Sequence, residues 1–182
     1  IGAGQSRNKA INISKGKYIA FLDSDDQWKK NKLSEQIKTM ENKKYLATHT
    51  SYKIVDLKNK NLSKRIAKNL DYIKLLKSCD IGLSTVVLSK KIINNFSKPF
   101  PPLKTKEDYV LWLKIAKKGI IFYGINKTLG CFLRIFYMYE LEGTVSNPGL
   151  GPVFRECHHV RIVCMLLVTK PIMKITAGES LL

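Results

Sequence analysis

The order of hydrophobic and polar residues in the first part of the chain predicts alternating helices and strands. Residues 4–14 have a helical pattern, and Gly16 is placed to end that helix. Residues 18–22 form a short and nearly continuous apolar run, which is typical of a strand buried on both faces. Further on, apolar residues recur at helical spacing: Leu33, Ile37 and Met40. Helix, buried strand, loop and helix in this order indicate α/β organisation.

The middle of the chain is more polar. Residues 43–70 are rich in lysine, with one strand predicted near residues 47–55, and we expect this segment to be a variable excursion outside the core. A second apolar strand is predicted at residues 84–88. Ser89 follows it as the expected N-cap of a helix that runs through Phe96.

A proline-rich loop separates that helix from the next one. Three prolines fall within residues 99–102, and proline is disfavoured in the interior of a helix. Residues 104–108 then open another helix, which Gly119 closes. The apolar positions of this helix are Val110, Leu111, Ile115 and Ala116. Strands are predicted after it, at residues 120–123 and 128–134.

The chain has a formal net charge of +18, from 32 basic and 14 acidic residues. Such an excess is found in proteins that bind nucleic acid or anionic membranes, and it also steers anionic substrates. The lysines are scattered rather than concentrated with aromatic residues on one element, as they are in many nucleic-acid readers. We therefore favour an anionic substrate and expect no specific nucleic-acid partner. A basic module that binds nucleic acid or an anionic membrane is the alternative.

The cysteines indicate a reducing compartment. All four are widely spaced, and no pair has the CxxC spacing: Cys79, Cys131, Cys157 and Cys164. This argues against a disulfide framework and favours a cytoplasmic protein. The chain starts at Ile1, without a methionine, in sequence that already has a helical pattern, so we expect further sequence upstream.

An acidic cluster directly follows the first apolar run. Asp23, Asp25 and Asp26 place three carboxylates within four positions of a basic chain. Carboxylates this close repel one another unless a positive charge lies between them. Mg²⁺ and Mn²⁺ prefer oxygen ligands and often share them with substrate phosphates. The cluster therefore predicts a site for a divalent metal and a diphosphate; an acidic turn with Asp26 as the N-cap of the next helix is the alternative.

Glu107 and Asp108 form a second acidic group, at the start of a predicted helix. The N-terminus of a helix stabilises negative charge and is expected to lower the pKa of a carboxyl group there. The pair follows a proline-rich loop, and open α/β folds bind ligands at one edge of the sheet. Both acidic groups are therefore expected to converge there, the first on a metal and a diphosphate, the second as a general base. An ordinary acidic first turn is the alternative.

Several blocks of sequence, in order, carry a resemblance to a known family. They are Gly4-Gln5-Ser6-Arg7-Asn8-Lys9-Ala10-Ile11, the run from Gly16 through Trp28, Lys32-Leu33 with Gln36, Ser84-Thr85-Val86-Val87-Leu88, and Glu107-Asp108-Tyr109 with Leu111-Trp112-Leu113. Together they resemble family 2 glycosyltransferases over residues 2–134. The resemblance implies a GT-A-like α/β fold: a mixed, mostly parallel sheet flanked by helices, incomplete at the N-terminus.

The resemblance also implies roles for individual residues. Arg7, Asp23 and Asp25 would bind the nucleotide-diphospho-sugar donor. Asp25 and Asp26 would hold a divalent cation, Mn²⁺ or Mg²⁺. Asp108 falls on the catalytic base of the family, and Glu107 lies beside it at the acceptor side. Trp28 is expected to pack the following helix rather than to stack on a sugar.

The implied reaction is an inverting transfer of a sugar to a saccharide or lipid-linked acceptor, in surface polysaccharide synthesis. It would take place in the cytoplasm, with peripheral contact at the inner face of the membrane. Residues 1–135 are expected to form a partial GT-A domain, and residues 136–182 a divergent C-terminal tail. That tail is either a C-terminal element, a membrane-surface helix or sequence read in a wrong frame. Because the N-terminal block of the family is absent, an inactive fragment is a further alternative.

Overall fold

The computed structural model describes residues 2–56 and 58–133 and two short strands within residues 163–168. The helices are α1 Ala3–Ile13, α2 Lys32–Lys43, α3 Tyr72–Lys77, α4 Lys90–Ile93 and α5 Glu107–Lys117, with a 3₁₀ turn at Leu83–Thr85. The strands are β1 Tyr18–Ala20, β2 Leu22–Asp23, β3 Asp26–Trp28, β4 Ala47–Val55, β5 Asn61–Arg65, β6 Val87–Ser89, β7 Phe122–Leu133, β8 Val163–Cys164 and β9 Leu167–Val168. Among these described helices, none is long and apolar enough to cross a bilayer.

The main sheet is mixed, with the strand order β3-β7-β4-β6-β1-β9, and β5 also pairs with β4. A separate two-stranded sheet joins β2 to β8. The mixed sheet was expected from the sequence, but the expected predominance of parallel pairing was wrong. Among the described pairings β4 with β7 is parallel and the others are antiparallel. For β5 the antiparallel pairing has a local cause: a tight turn returns the chain directly from β4 to β5, and such a connection gives antiparallel strands.

Residues 43–70 are not the peripheral excursion that their polar composition predicted. They contain β4, which lies at the centre of the sheet and has a buried first half. Most of the polar side chains there are hydrogen-bonded: His49 Nε2 is 2.8 Å from the Lys68 carbonyl oxygen, Ser51 Oγ accepts from the Ala67 amide at 2.9 Å, and Thr48 Oγ1 accepts from Gln36 at 3.1 Å. Thr50 Oγ1 is buried without a hydrogen-bond partner among the described residues. Buried polar groups that are hydrogen-bonded carry little penalty, so a polar strand can form part of a core.

Two predicted element boundaries near the first acidic cluster are corrected by the structure. The apolar run is divided into β1 and β2, with the buried Phe21 between them. Asp26 does not cap a helix: it begins β3, which pairs with β7, and α2 begins only after Asn31. Helix α2 begins later than expected because the chain first forms the edge strand β3 and then a turn at residues 29–32.

Other boundaries shift for similar reasons. The strand predicted at residues 84–88 begins with the 3₁₀ turn and becomes β6 at Val87, and α4 ends at Ile93 rather than at Phe96. The two strands predicted after Gly119 are one continuous strand, β7, since it pairs with β4 up to Ile125 and again from Thr128, across a shift of register. Gly119 has a φ of 81°, the left-handed conformation expected of a glycine that ends a helix.

An aromatic cluster lies behind the first acidic cluster and joins α5 to the sheet. Trp112 of α5 makes edge contacts with Phe21 and Phe122, with ring centroids 6.1 and 5.4 Å apart. Phe100, in the proline-rich loop, meets Phe21 at 5.5 Å in the same manner. All four rings are fully buried. Because Phe21 lies two residues before Asp23, this packing fixes the base of the acidic loop.

A buried lysine anchors α2 to the sheet. Lys32 is fully buried; its Nζ donates to Gln36 Oε1 at 2.6 Å and lies 4.2 Å from the centroid of the Trp28 ring. Gln36 Nε2 in turn donates to the Thr85 carbonyl oxygen at 3.0 Å and to Thr48 Oγ1 at 3.1 Å. Trp28 thus packs against α2, as the sequence predicted.

Burial lowers the pKa of Lys32 to about 7, so the stability of the protein is expected to rise with pH. Between the folded pKa and the unfolded value of 10.5, the unfolded chain binds the extra proton, which favours folding as the pH increases. Between pH 7 and 9 the gain is at most about 2 kcal/mol, and the Trp28 ring and the Gln36 oxygen, which favour the charged form, reduce it.

Urea unfolding at the two pH values measures this gain. We expect Lys32→Met to remove it, because methionine fills the same space without a titrating group. The exposed Lys43→Met, on the same helix, is the matched control and should keep the pH dependence. An unchanged pH dependence in Lys32→Met would show that Lys32 does not titrate in this range.

Candidate active site

The first acidic cluster is held by strand ends and by one serine. The backbone N–H of Asp23, at the end of β2, donates to Ser84 Oγ at 3.0 Å. The indole N–H of Trp28 donates to the carbonyl oxygen of the same serine at 2.6 Å. Ser84 therefore ties both ends of the acidic loop to the 3₁₀ turn. This role of Ser84 was not predicted, since the sequence marks Ser84 only as the first residue of an apolar block.

The carboxylates of this cluster form a set of oxygen ligands. Asp23, Asp25 and Asp26 each offer a carboxylate oxygen, and these atoms lie within 4.8 Å of one another. Asp25 Oδ1 is buried and has no hydrogen-bond partner among the described residues. A buried carboxylate oxygen without a partner is unfavourable unless a cation compensates it. The residues present therefore fit a hard divalent cation, which accepts oxygen ligands from two or three carboxylates.

Arg7 joins the two acidic groups. Its side chain is 2% exposed; Nη2 lies 3.0 Å from Asp23 Oδ1, and Nη1 lies 2.5 Å from Glu107 Oε1. The guanidinium carbon is 5.4 Å from the centroid of the Phe100 ring. The two acidic groups therefore converge in the structure, as the sequence predicted, and the buried guanidinium of Arg7 lies between them. The predicted contact of Arg7 with a sugar-nucleotide donor stays a prediction, since both terminal nitrogens of Arg7 already bind carboxylates.

Helix α1 holds Arg7 in place through close contact with the proline-rich loop. Asn8 Nδ2 donates to the Phe100 carbonyl oxygen at 2.8 Å, and the Phe100 amide donates back to Asn8 Oδ1 at 2.9 Å. One turn earlier, a Cβ on Gly4 would lie 3.2 Å from Glu107 Cγ and 3.3 Å from the Pro101 oxygen. A glycine at this position lets the helix approach Glu107. Neither role was predicted.

Asp108 lies beside Glu107 in the first turn of α5. Burial raises its pKa, and the negative charges of Glu107 and Asp23 add to this. The Tyr109 amide, which donates to Asp108 Oδ1 at 2.8 Å, and the Arg7 guanidinium act in the opposite direction. The sequence led us to expect a lowered pKa from the helix terminus. That expectation was wrong for Asp108, because desolvation outweighs the favourable amide.

The turn before α5 directs the acidic pair inwards. Lys106 has a φ of 60° and a ψ of 20°, a left-handed conformation that is uncommon for a residue with a side chain. Such conformations are found at sites that the surrounding structure holds in place. A cavity of about 470 Å³ lies next to Glu107, between the start of α1 and the proline-rich loop. Its size falls within the range of small-molecule sites.

Of the six residues predicted for the site, three are in direct contact and three lie close by. Arg7, Asp23 and Glu107 form the ion pairs. Asp25 and Asp26 belong to the same carboxylate cluster as Asp23, and Asp108 is within electrostatic reach of Asp23 and Arg7. Their assignment as donor-binding, metal-binding and catalytic residues stays a prediction.

The sequence model of the family described as "Glycosyl transferase family 2" matches residues 2–96. A relative in Escherichia coli, the UDP-Glc:alpha-D-GlcNAc-diphosphoundecaprenol beta-1,3-glucosyltransferase WfaP, is 42% identical over 175 residues, which are 90% of this chain and 65% of the relative. The E. coli protein WfgD, named for the same reaction, is 44% identical over 66% of this chain and 46% of its own length.

A third relative is the putative teichuronic acid biosynthesis glycosyltransferase TuaG of Bacillus subtilis, 36% identical over 70% of this chain and 51% of its own length. The chain thus spans about half to two thirds of these relatives. Among solved structures, S. aureus TarS 1–349 in complex with UDP-GlcNAc superposes with a TM-score of 0.59 at 17% identity, over 80% of this chain and 42% of that one. This likeness shows the GT-A fold.

Proposed function

The chain belongs to glycosyltransferase family 2, and on that premise we propose that it transfers a sugar from a nucleoside-diphosphate donor to an acceptor hydroxyl. The observation that carries the proposal is the position of Arg7, which joins a three-carboxylate cluster to a second acidic pair. The three-carboxylate cluster is suited to a metal-bound diphosphate, and the second acidic pair is suited to removal of a proton. The guanidinium of Arg7 contacts both groups.

The donor is proposed to bind at the first acidic cluster. The names of two relatives specify UDP-Glc, and the TarS neighbour was crystallised with UDP-GlcNAc. Asp25 and Asp26 would hold Mn²⁺ or Mg²⁺, with Asp23 beside them. When bound, such a cation neutralises the charge that develops on a diphosphate leaving group. The buried, unpartnered Asp25 Oδ1 supports this position for it.

Asp108 is proposed to act as the general base. It accepts the proton of the acceptor hydroxyl while the hydroxyl oxygen attacks the anomeric carbon, and the bond to the nucleoside diphosphate breaks. The attack occurs opposite the leaving group, so the configuration inverts. Burial raises the pKa of Asp108, which makes its carboxylate a stronger base than that of an ordinary aspartate. Glu107, held by Arg7, lies at the acceptor side.

The acceptor is proposed to be a lipid-linked saccharide in surface polysaccharide synthesis. WfaP and WfgD are named for an acceptor linked to diphosphoundecaprenol, and TuaG for teichuronic acid biosynthesis. A lipid-linked acceptor requires the enzyme to work at a membrane surface. We place the protein in the cytoplasm at the inner face of the membrane. The net charge of +18 supports contact with anionic lipid headgroups.

Transfer from UDP-glucose in the presence of Mn²⁺ tests the donor site. We expect Asp25→Asn to lower transfer roughly a hundredfold or more, because stabilisation of a leaving group by a metal is worth several kcal/mol. Chelation with EDTA should abolish wild-type transfer, and added Mn²⁺ should restore it. The assay is release of UDP coupled to product analysis on a GlcNAc-diphospholipid acceptor.

The exposed Glu41→Gln, which removes a carboxylate that pairs with Lys17 and does not belong to the acidic cluster, is the matched control and should keep full activity. Full activity of Asp25→Asn, or transfer that is insensitive to EDTA, would overturn the proposed metal site. Absence of any transfer by the wild-type chain with each common UDP-sugar would overturn the proposed donor class.

A further inference from the structure

Helix α3 exposes apolar side chains that the proposed chemistry does not use. Ile73 is 60% exposed and Leu76 is 52% exposed. They are three residues apart, so they lie on the same side of the helix. Leu75, between them in sequence, is fully buried and holds the helix against the core. Together they form a small exposed apolar patch on one face of this six-residue helix.

Lysines surround this apolar pair. Lys74 and Lys77 are exposed on the same helix. Two acidic residues lie near this helix. Asp71 caps α3 by accepting from the Lys74 amide at 2.9 Å and also lies 3.7 Å from Lys74 Nζ in an exposed ion pair, while Asp80 accepts from the Ser78 hydroxyl at 3.1 Å. Exposed ion pairs of this kind are weak, so Lys74 can still contact an anionic surface. Apolar side chains between lysines are typical of helices that lie in the interface of an anionic bilayer, where the lysines are attracted to the lipid headgroups.

The helix is fixed to the candidate active site. Tyr109 directly follows Asp108, and its hydroxyl donates to the Leu75 carbonyl oxygen at 2.6 Å. Two residues after α3 ends, the Cys79 thiol lies close enough to Asp108 and Lys106 for both charges to shift its pKa. A surface that rests on α3 would therefore lie beside the proposed base. The two exposed apolar side chains are too small an area for a stable protein interface, which buries about 800 Å² on each partner.

We propose that Ile73 and Leu76, with Lys74 and Lys77 around them, form a contact with the surface of an anionic lipid bilayer. This contact would bring the first turn of α5, which carries the proposed base, close to acceptor saccharides that lie at the level of the lipid headgroups. The inference rests on the proposed function for its purpose, since a lipid-linked acceptor is what such an orientation serves. The contact itself requires no donor, metal or acceptor.

Sedimentation of the chain with lipid vesicles tests the contact. We expect binding to vesicles of phosphatidylcholine with about 30% phosphatidylglycerol, weaker at high salt, and little binding to pure phosphatidylcholine. Ile73→Ser with Leu76→Ser should weaken binding roughly tenfold or more, because insertion of the apolar side chains is lost. Lys74→Gln with Lys77→Gln should weaken it and reduce the salt dependence.

The chain offers matched controls for both changes. Leu62 and Ile66, near β5, are 40% and 44% exposed, so Leu62→Ser with Ile66→Ser removes a similar apolar surface elsewhere. The exposed pair Lys58→Gln with Lys60→Gln removes the same charge as the α3 lysine variant. Both controls should bind vesicles within about twofold of wild type. Thermal melts of each variant establish that it is folded.

Equal losses in the α3 variants and their controls would overturn the proposal, since binding would then reflect the total charge alone. Equal binding to neutral and anionic vesicles would also overturn it. A change of oligomeric state in the α3 variants, without a loss of vesicle binding, would assign the surface to a contact between copies instead. Because sedimentation needs no UDP-sugar, its failure leaves the proposed transfer standing, and failure of transfer leaves the membrane contact standing.

Discussion

Replacing Asp108 with asparagine is expected to lower kcat for sugar transfer by a factor of roughly 10² to 10⁴, the range contributed by a general base. Asparagine has the same shape and can still accept the Tyr109 amide hydrogen bond, so the first turn of α5 should persist. It cannot take up the proton of the acceptor hydroxyl. The measurement is steady-state transfer to acceptor, with the affinity for UDP-sugar determined separately by calorimetry.

The pH dependence of transfer is a second test of Asp108 as the general base. The carboxylate must be ionised to act, so wild-type kcat/KM should fall as the pH decreases through the raised pKa of Asp108. This fall should occur at a higher pH than for an ordinary aspartate. The exposed Asp80→Asn, as control, should keep both the rate and the profile. Near-normal transfer by Asp108→Asn, with unchanged donor affinity, would show that another group is the base.

Replacing Arg7 with methionine is expected to destabilise the fold by about 3–5 kcal/mol, since removing one partner of a buried ion pair leaves the other charge uncompensated. Here two carboxylates are left: the side chains of Asp23 and Glu107 are 4% and 12% exposed. Methionine keeps most of the apolar length of the side chain, so the loss reports on charge more than on packing. Urea unfolding, followed by circular dichroism, measures it.

Neutralising the partners separates charge from shape. Arg7→Met combined with Asp23→Asn and Glu107→Gln leaves no buried charge in the cluster, and it should recover a large part of the lost stability. Arg7→Lys should lie between wild type and Arg7→Met, since a lysine keeps the charge but cannot bind both carboxylates with a planar fork. If the triple variant is no more stable than Arg7→Met, the ion pairs are not the source of the loss.

The sequence was a good guide wherever a local pattern decided the structure. The buried run that begins at Tyr18, the helical spacing in α2 and the glycine that ends α5 each depend on residues only a few positions apart. The acidic cluster could also be found, because three carboxylates in four positions on a basic chain need an explanation. The family resemblance then supplied the fold.

The features that were missed depend on residues far apart in the chain. Polarity placed β4 outside the core, but its hydroxyl and imidazole groups find partners near Ala67 and Lys68 that no local pattern reveals. Asp26 could have capped a helix as well as begun a strand, and only pairing with β7 decides between them. The direction of the Asp108 pKa likewise follows from burial in the folded protein rather than from its position in a helix.

The cysteine prediction and the tail have different outcomes. Cys79 and Cys131 are free thiols in the described part of the chain, and the predicted cytoplasmic location stays a prediction. The boundary predicted at residue 135 falls among residues that the structure does not describe, and only β8 and β9 are described beyond it. These strands pair with β2 and β1, and the match to WfaP extends over 90% of the chain.

The pairing of β4 with β7 has a consequence for how the chain folds. Ala47 pairs with Phe122 and Val55 with Leu133, so these two long strands come from distant parts of the sequence. Closing such a long loop costs entropy before any contact repays it, and folds with high contact order form slowly. During synthesis, the edge of β4 that pairs with β7 stays unpaired until β7 has been made, although the first half of β4 is buried in the folded protein. We therefore expect folding in the cell to depend on chaperones that shield this strand until the ribosome has released its partner.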